Sequence, residues 1–213
     1  MTMTAAQKEE LLRLAREHIR DDDPSHDYWH AWRIMKLAER IAAEAGGDPD
    51  ILVPAALFHD VVVYPKNDPR SSLSSVHSAD LARRVLAGIS WYPAEKIEAA
   101  ARAIERCSFS KALPKESIEE HILQDADLLE SLGAIAVART FCSAGQMHRR
   151  FYDPDDPRAA RRQPGSNDNA LDLFPRRLFQ AAGRLHTAAA KKMARRRDKF
   201  LRVFYEEFLK DIE

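Results

Sequence analysis

The sequence predicts an all-α protein, and three observations carry that expectation. Glycine is scarce, 7 in 213 residues, and alternating β-branched stretches are few, which argues against a sheet. Apolar residues recur at helical spacing, as in Leu11, Leu12, Ala15 and Ile19, or Ile34, Leu37, Ala38, Ile41 and Ala45, the pattern of a helix with one buried face. Prolines stand at the breaks between such runs, at Pro24, Pro49, Pro93 and Pro114, where the ring ends a helix or fits its first turn.

A first helix is expected over about residues 5–20, broken by the DDDPS stretch. A second covers about 28–45 and ends at GGD, and Pro49 opens a third that carries ILVPAALFHD and stops near Asp60. VVVYPKNDPRSS reads as a loop because Pro65 and Pro69 prevent a long regular element. Further helices are expected over about 76–87, 94–106, 115–132 and 134–142. Residues 145–170 are polar, rich in Pro and Asp and without periodicity, a long loop of the kind that covers active sites. Helix returns from Leu171, breaks near residues 183–187, and resumes with Thr187 as the cap of a final helix through LRVFYEEFLKDI. The expected architecture is one helical domain over 1–213, with a core of about 10–145 and C-terminal helices packing on it.

Composition excludes several classes. Lys+Arg and Asp+Glu both number 33, so no global basic field points to nucleic acid or a membrane surface. The two cysteines, Cys107 and Cys142, are too few for a disulfide framework or a cysteine zinc site. The N-terminus, MTMTAAQKEELLRLAREHIR, is charged and amphipathic rather than an apolar leader. No stretch approaches the ~20 apolar residues that span a bilayer. A soluble, cytoplasmic protein is the expectation.

The chemistry-bearing residues are His and Asp side chains on helices that otherwise read as core. His30 lies one turn before Ile34 and two before Leu37, so it points with the apolar stripe. His59 and Asp60 close the apolar run AALFHD; neighbours on a helix point about 100° apart, so both reach one ion only near the helix end. ILQDADLLESLG carries Asp125 and Asp127 within an apolar helix, and buried charge is costly unless paired or bound to metal. Helical spacing alone groups Asp125 with Ile122, Leu129 and Leu132 as the inward residue, and Asp127 with Leu123 and Ser131. A mixed set of imidazoles and carboxylates suits Mn, Fe, Zn, Co or Ni better than Ca, and its few ligands leave positions open to water and substrate.

HAWRIMKLAERIA, AALFHD and ADLL together resemble the motifs of the HD-domain superfamily of metal-dependent phosphohydrolases, over about residues 10–145. That resemblance implies His30, His59, Asp60 and Asp127 as ligands of one divalent metal, manganese foremost with Mg, Co, Ni, Fe or Zn as alternatives. It leaves Asp125 to orient a ligand imidazole through its other N–H. HDYWH, SFS and QDADLLESLGAIAVARTF are similar to small bacterial members acting on nucleoside triphosphates. The resemblance therefore implies a hydrolase that acts on a nucleotide, specifically a (d)NTP pyrophosphohydrolase that releases pyrophosphate.

Around the ligands, Asp60, His26, Asp27 and Lys66 are the candidate catalytic groups. Lys66, Arg33, Arg70 and Ser71 are candidates for holding phosphate, since Lys and Arg are the usual clamps on phosphoryl oxygens. Arg149 and Arg150, in the 145–170 loop, are candidates to close over a nucleotide. The expected partner is a small-molecule nucleotide, with no nucleic acid and no membrane, and the amphipathic C-terminal helix leaves room for a homodimer. Two rivals stand beside this reading. His77 and Cys107 occupy positions where two-metal relatives carry histidines, which would make a phosphodiesterase or di-iron oxygenase; Cys107 in place of His argues for one metal. A nucleotide-binding domain without turnover is the other.

Overall fold

The computed structural model describes residues 3–20, 23–64, 68–108, 114–162 and 168–212. Their regular structure is helical, without a strand among the described residues; the one β-type pairing there is an isolated bridge between Arg150 and Asn169. No helix there is long and apolar enough to cross a membrane. The chain divides into two compact units, Met1–Asp127 and Leu128–Glu213.

In the first unit, α1 (Ala5–His18) starts at a capping box in which Thr4 and Gln7 satisfy each other's backbone N–H groups. α2 (Tyr28–Ala45) is capped by Asp27 and buries His30, Ile34, Leu37, Ala38 and Ile41 on one face. α3 (Pro49–Phe58) is the centre of the unit, buried along nearly its whole length and packed against α1, α2, α4 and α5. Pro54 inside α3 has no N–H for the carbonyl of Asp50; the Tyr92 hydroxyl donates to that carbonyl instead, at 2.8 Å. Burial pushes the Tyr92 hydroxyl up from its ordinary range, so it remains a donor.

The segment after α3 leads through a 3₁₀ turn (Pro69–Leu73) into α4 (Ser74–Ala87), which packs on α5 (Ala94–Cys107). α6 (Ile118–Glu130) starts later than Pro114 suggests, because Ser117 supplies the cap: its hydroxyl accepts from the Glu120 N–H at 3.2 Å. Gln124 ties α6 to the end of α5, donating to the Cys107 carbonyl at 3.1 Å. Gly47, at φ 112°, holds a backbone conformation that strains any residue with a Cβ, and an added Cβ would crowd the side-chain ends of Ile122 at 3.0 Å and Leu52 at 3.2 Å in the turn between α2 and α3.

In the second unit, α7 (Gly133–Gln146) packs on α9 (Ala188–Lys210), whose cap is Thr187 as expected. Between them the described residues run first without a helix, then form a π turn (Phe174–Leu178), α8 (Phe179–Ala181) and a 3₁₀ turn (Ala182–Arg184). The π turn starts three residues beyond Leu171, where the sequence suggested helix. The core is aromatic: Phe174 stacks on Phe204 with ring centres 5.8 Å apart, and Phe141 stacks on Phe208 at 5.6 Å. The described residues of the preceding loop are tied at two points. Arg162 makes a bidentate pair with the buried Asp172 at 2.8 and 3.0 Å, and Ala170 donates to the Arg150 carbonyl at 2.9 Å.

Candidate metal centre

Three helices of the first unit build the site: α2 carries His30, the end of α3 leads into His59 and Asp60, and α6 carries Asp127. His30 is 1% exposed, as its place on the α2 stripe requires. Asp27 accepts the His30 backbone N–H at 2.8 Å, so the residue that starts the helix also sets the register of the imidazole. α3 ends one residue before His59, and the His59 Nδ1 lies 2.8 Å from the Ala56 carbonyl. A carbonyl only accepts, so Nδ1 carries the proton and Nε2 presents its lone pair to the interior.

The two Nε2 atoms of His30 and His59 lie 3.2 Å apart. Two imidazole nitrogens facing each other at that distance need a proton or a cation between them. Nitrogens bound to one ion at about 2.1 Å with tetrahedral or octahedral angles stand roughly 3.0–3.4 Å apart, so the pair fits a metal. A carboxylate oxygen of Asp127 joins them, with ligand atoms of His30, His59 and Asp127 all within 4.8 Å of one another. Asp60 approaches from the side, its Oδ2 3.6 Å from His30 Nε2 and 3.5 Å from His59 Nε2. Burial opposes its ionisation, but a proton shared by the His59 and His30 imidazoles outweighs it and holds the carboxyl well below the usual carboxylate range. The donor set therefore fits a divalent cation.

Of the two carboxylates on α6, Asp127 joins the imidazoles, and Asp125 is fully buried outside that group. The Nδ1–H of His59 is taken up by the backbone carbonyl of Ala56. His26 stands beside the site, its ring centre 5.9 Å from that of His30 and its Nδ1 2.6 Å from Asp23. Arg33 is half-buried on α2. Arg70 is exposed and already engaged by Asp68, at 2.8 Å between Nη2 and Oδ2; Ser71 is exposed beside it. Lys66 lies outside the described residues. His77 and Cys107 do not enter the cluster, and no second group of metal-capable side chains gathers this closely among the described residues. Cys107 is buried, and burial together with the charges of Asp127 and Asp60 pushes its thiol up, away from the thiolate that binds metal.

Sequence reading passed over two kinds of residue here. Ala56 acts through its carbonyl, and the only available signal was its place one turn before His59. Ser74 and Ser78 share one face of α4 with His77, itself named only as a second-metal candidate, by i, i+3, i+4 spacing, a pattern visible in the sequence but without meaning until the segment they hold is seen.

An all-helical chain with an imidazole on one helix, an imidazole–carboxylate pair ending the next and a carboxylate further on has the make-up of a metal-centred hydrolase domain. Residues 27–132 match the family model of the HD domain, and that stretch of the chain is an HD domain. HD domains generally bind a divalent metal. The chain is 29% identical over 211 residues to the Bacillus subtilis protein YpgQ, across 97% of this chain and 94% of that one. The crystal structure of YpgQ in complex with ADP superposes with a TM-score of 0.72 at 25% identity, covering 97% of this chain and 100% of that one. An HD-superfamily hydrolase from Bacillus thuringiensis gives a TM-score of 0.69 at 27% identity, covering 97% and 96% of the two chains. A Lactobacillus plantarum protein gives 0.73 at 26% identity, covering 99% and 98%.

Proposed function

We propose that this protein is a metal-dependent phosphohydrolase that cleaves a nucleotide, with a nucleoside triphosphate giving monophosphate and pyrophosphate as the specific reaction. The observation that carries the reading is the 3.2 Å approach of the His30 and His59 Nε2 atoms beside Asp127 and Asp60. The complex of the relative YpgQ with ADP supports a nucleotide as the ligand class.

In this reading His30, His59, Asp60 and Asp127 hold one divalent cation. When bound, the ion supplies Lewis acidity that makes water a better nucleophile and offsets charge on a phosphoryl oxygen. The chain's own groups do the rest. The Nδ1–H of His59, fixed by Ala56, keeps Nε2 free as a ligand. Asp60 stays ionised and its side chain is one-third exposed, so one part of it faces the cluster while another reaches solvent. His26 borders the same space and is the candidate to orient water or phosphate. Asp27 is taken up in capping α2, which leaves it a positioning role. Arg33 and Lys66 are the proposed contacts to phosphate. Water adds to the α-phosphorus, the bond from that phosphorus to the bridging oxygen breaks, and pyrophosphate departs while the water proton passes to a carboxylate or solvent.

The test is a nucleotide panel assayed with Mn, Mg, Co and Ni, with identification of the released species. Pyrophosphate as the initial product with at least one nucleoside triphosphate supports the reading. Orthophosphate as the sole initial product overturns the specific reaction, and no turnover with any nucleotide and metal overturns the activity.

A further inference from the structure

We propose that Ser78, Tyr64 and His77 are positioning residues that tie the segment after His59–Asp60 to α4 and so aim the Asp60 carboxylate at the imidazoles. The inference rests on the reading of Asp60 as a metal ligand and assigns that ligand its support.

Asp60 has little of its own to hold it in place. α3 ends at Phe58, and the chain beyond is joined to that helix by a weak turn, Val61 N–H to the Phe58 carbonyl at 3.3 Å. The Asp60 side chain is 34% exposed and meets the imidazoles only at 3.5 and 3.6 Å. Its direction is therefore set by whatever fixes the backbone immediately after it.

That backbone is fixed by one face of one helix. The Val62 N–H donates to Ser78 Oγ at 3.0 Å, and Ser78 Oγ donates back to the Val62 carbonyl at 3.3 Å. Ser78 is fully buried, so water does not compete for either bond. One turn earlier on α4, Ser74 Oγ accepts from the Tyr64 N–H at 3.4 Å. Between these two serines, His77 Nδ1 lies 2.8 Å from the Tyr64 hydroxyl, with the rings edge-to-face at 5.7 Å. On the ring's other contact the Arg70 guanidinium stands 4.6 Å from the Tyr64 centre, locked by Asp68 at 2.8 and 3.1 Å. Tyr64 is thus wedged between His77 and Arg70, and Val62 is pinned by Ser78. Groups that orient a ligand without touching the metal typically change affinity 10–100-fold when lost. This arrangement also gives His77 work other than binding a second ion.

The experiment titrates manganese into the metal-free full-length protein by calorimetry, well below its melting temperature, and records the melting temperature of each metal-free variant. Ser78→Ala and Tyr64→Phe are expected to raise the manganese Kd about tenfold. His77→Leu should do the same, and His77→Asn, which keeps a polar atom near the Nδ1 position, should recover most of the loss. A purely structural role would lower the melting temperature and leave the Kd unchanged. Asp60→Ala is the control for the underlying reading. If it abolishes binding while Ser78→Ala, Tyr64→Phe and His77→Leu all stay within twofold of wild type, the positioning role is overturned and the ligand reading stands. If Asp60→Ala binds manganese like wild type, the ligand reading falls and the positioning role with it. Should Ser78→Ala fail to fold, Tyr64→Phe, which deletes one half-buried hydroxyl, decides the matter.

Discussion

The neighbourhood of His59 and that of Phe174 are both interior, yet they are built by opposed means. Around His59, an apolar helix buried along nearly its whole length ends in an imidazole, and the interior beyond it is filled with another imidazole and two carboxylates. Around Phe174, the interior is a stack of rings with Phe204, Phe141 and Phe208, and its buried charges are matched, as Arg162 is with Asp172. Ring packing lowers the free energy of its own unit directly. Like-polarity ligands brought together gain nothing without a cation or proton and must be held there by the surrounding helices. The first region should therefore be sensitive in function and tolerant in stability, and the second the reverse.

The largest effect expected is at the ligands. Asp60→Ala and His59→Ala should each lower hydrolysis by on the order of 10³-fold or more, while the metal-free protein stays as stable as wild type within about 1 kcal/mol. Activity and metal content are the readouts, and either variant retaining both would break the contrast at its stronger end. Next, Phe174→Ala should destabilise its unit by about 3–5 kcal/mol, with manganese stoichiometry and Kd unchanged in the folded protein. A shift in denaturant midpoint equivalent to less than 1 kcal/mol would mean that the rings are not the core they resemble.

Tyr92→Phe sharpens the comparison inside the first unit. It leaves the Asp50 carbonyl, already abandoned by Pro54, without a donor, and should cost about 1–2 kcal/mol by chemical denaturation with no change in metal affinity. The smallest effect is in acid. Burial pushes Asp156 up, but the Arg161 and Ala160 N–H groups outweigh it and hold the carboxyl below its ordinary value. The folded pKa is thus below the unfolded one, so its support of the loop is present above about pH 4 and lost as pH falls through the lower folded value. An NMR titration of the Asp156 carboxyl should show a midpoint under 3.8; a midpoint above it would remove that support.

Much of this could be read in the sequence because period and motif are local. The α2 stripe placed His30 inside, AALFHD announced the end of α3, and Thr187 marked the start of α9. Face counting identified Asp125 as the inward residue, and it is the fully buried one; counting did not single out Asp127, because a helix that brings a ligand to a shared ion need not keep that residue on its most apolar side. The start of α6 was misjudged by a few residues since Pro114 permits a helix but Ser117 caps it. Residues 145–170 read only as a long loop because the contacts that order its described residues, at Asp156, Arg162 and the Arg150–Asn169 bridge, are ones that no periodicity encodes. The tether of Val62 and Tyr64 to α4 was illegible for a related reason: Ser74 and Ser78 share a face of α4, but nothing in that spacing says which backbone their hydroxyls bond.

The most direct measurement is anomalous diffraction from crystals grown with manganese. One peak bonded at coordination distance to the Nε2 atoms of His30 and His59 and to carboxylate oxygens of Asp60 and Asp127 is the result expected. Manganese bound at other residues, with His30 and His59 still facing each other and nothing between them, would contradict the account.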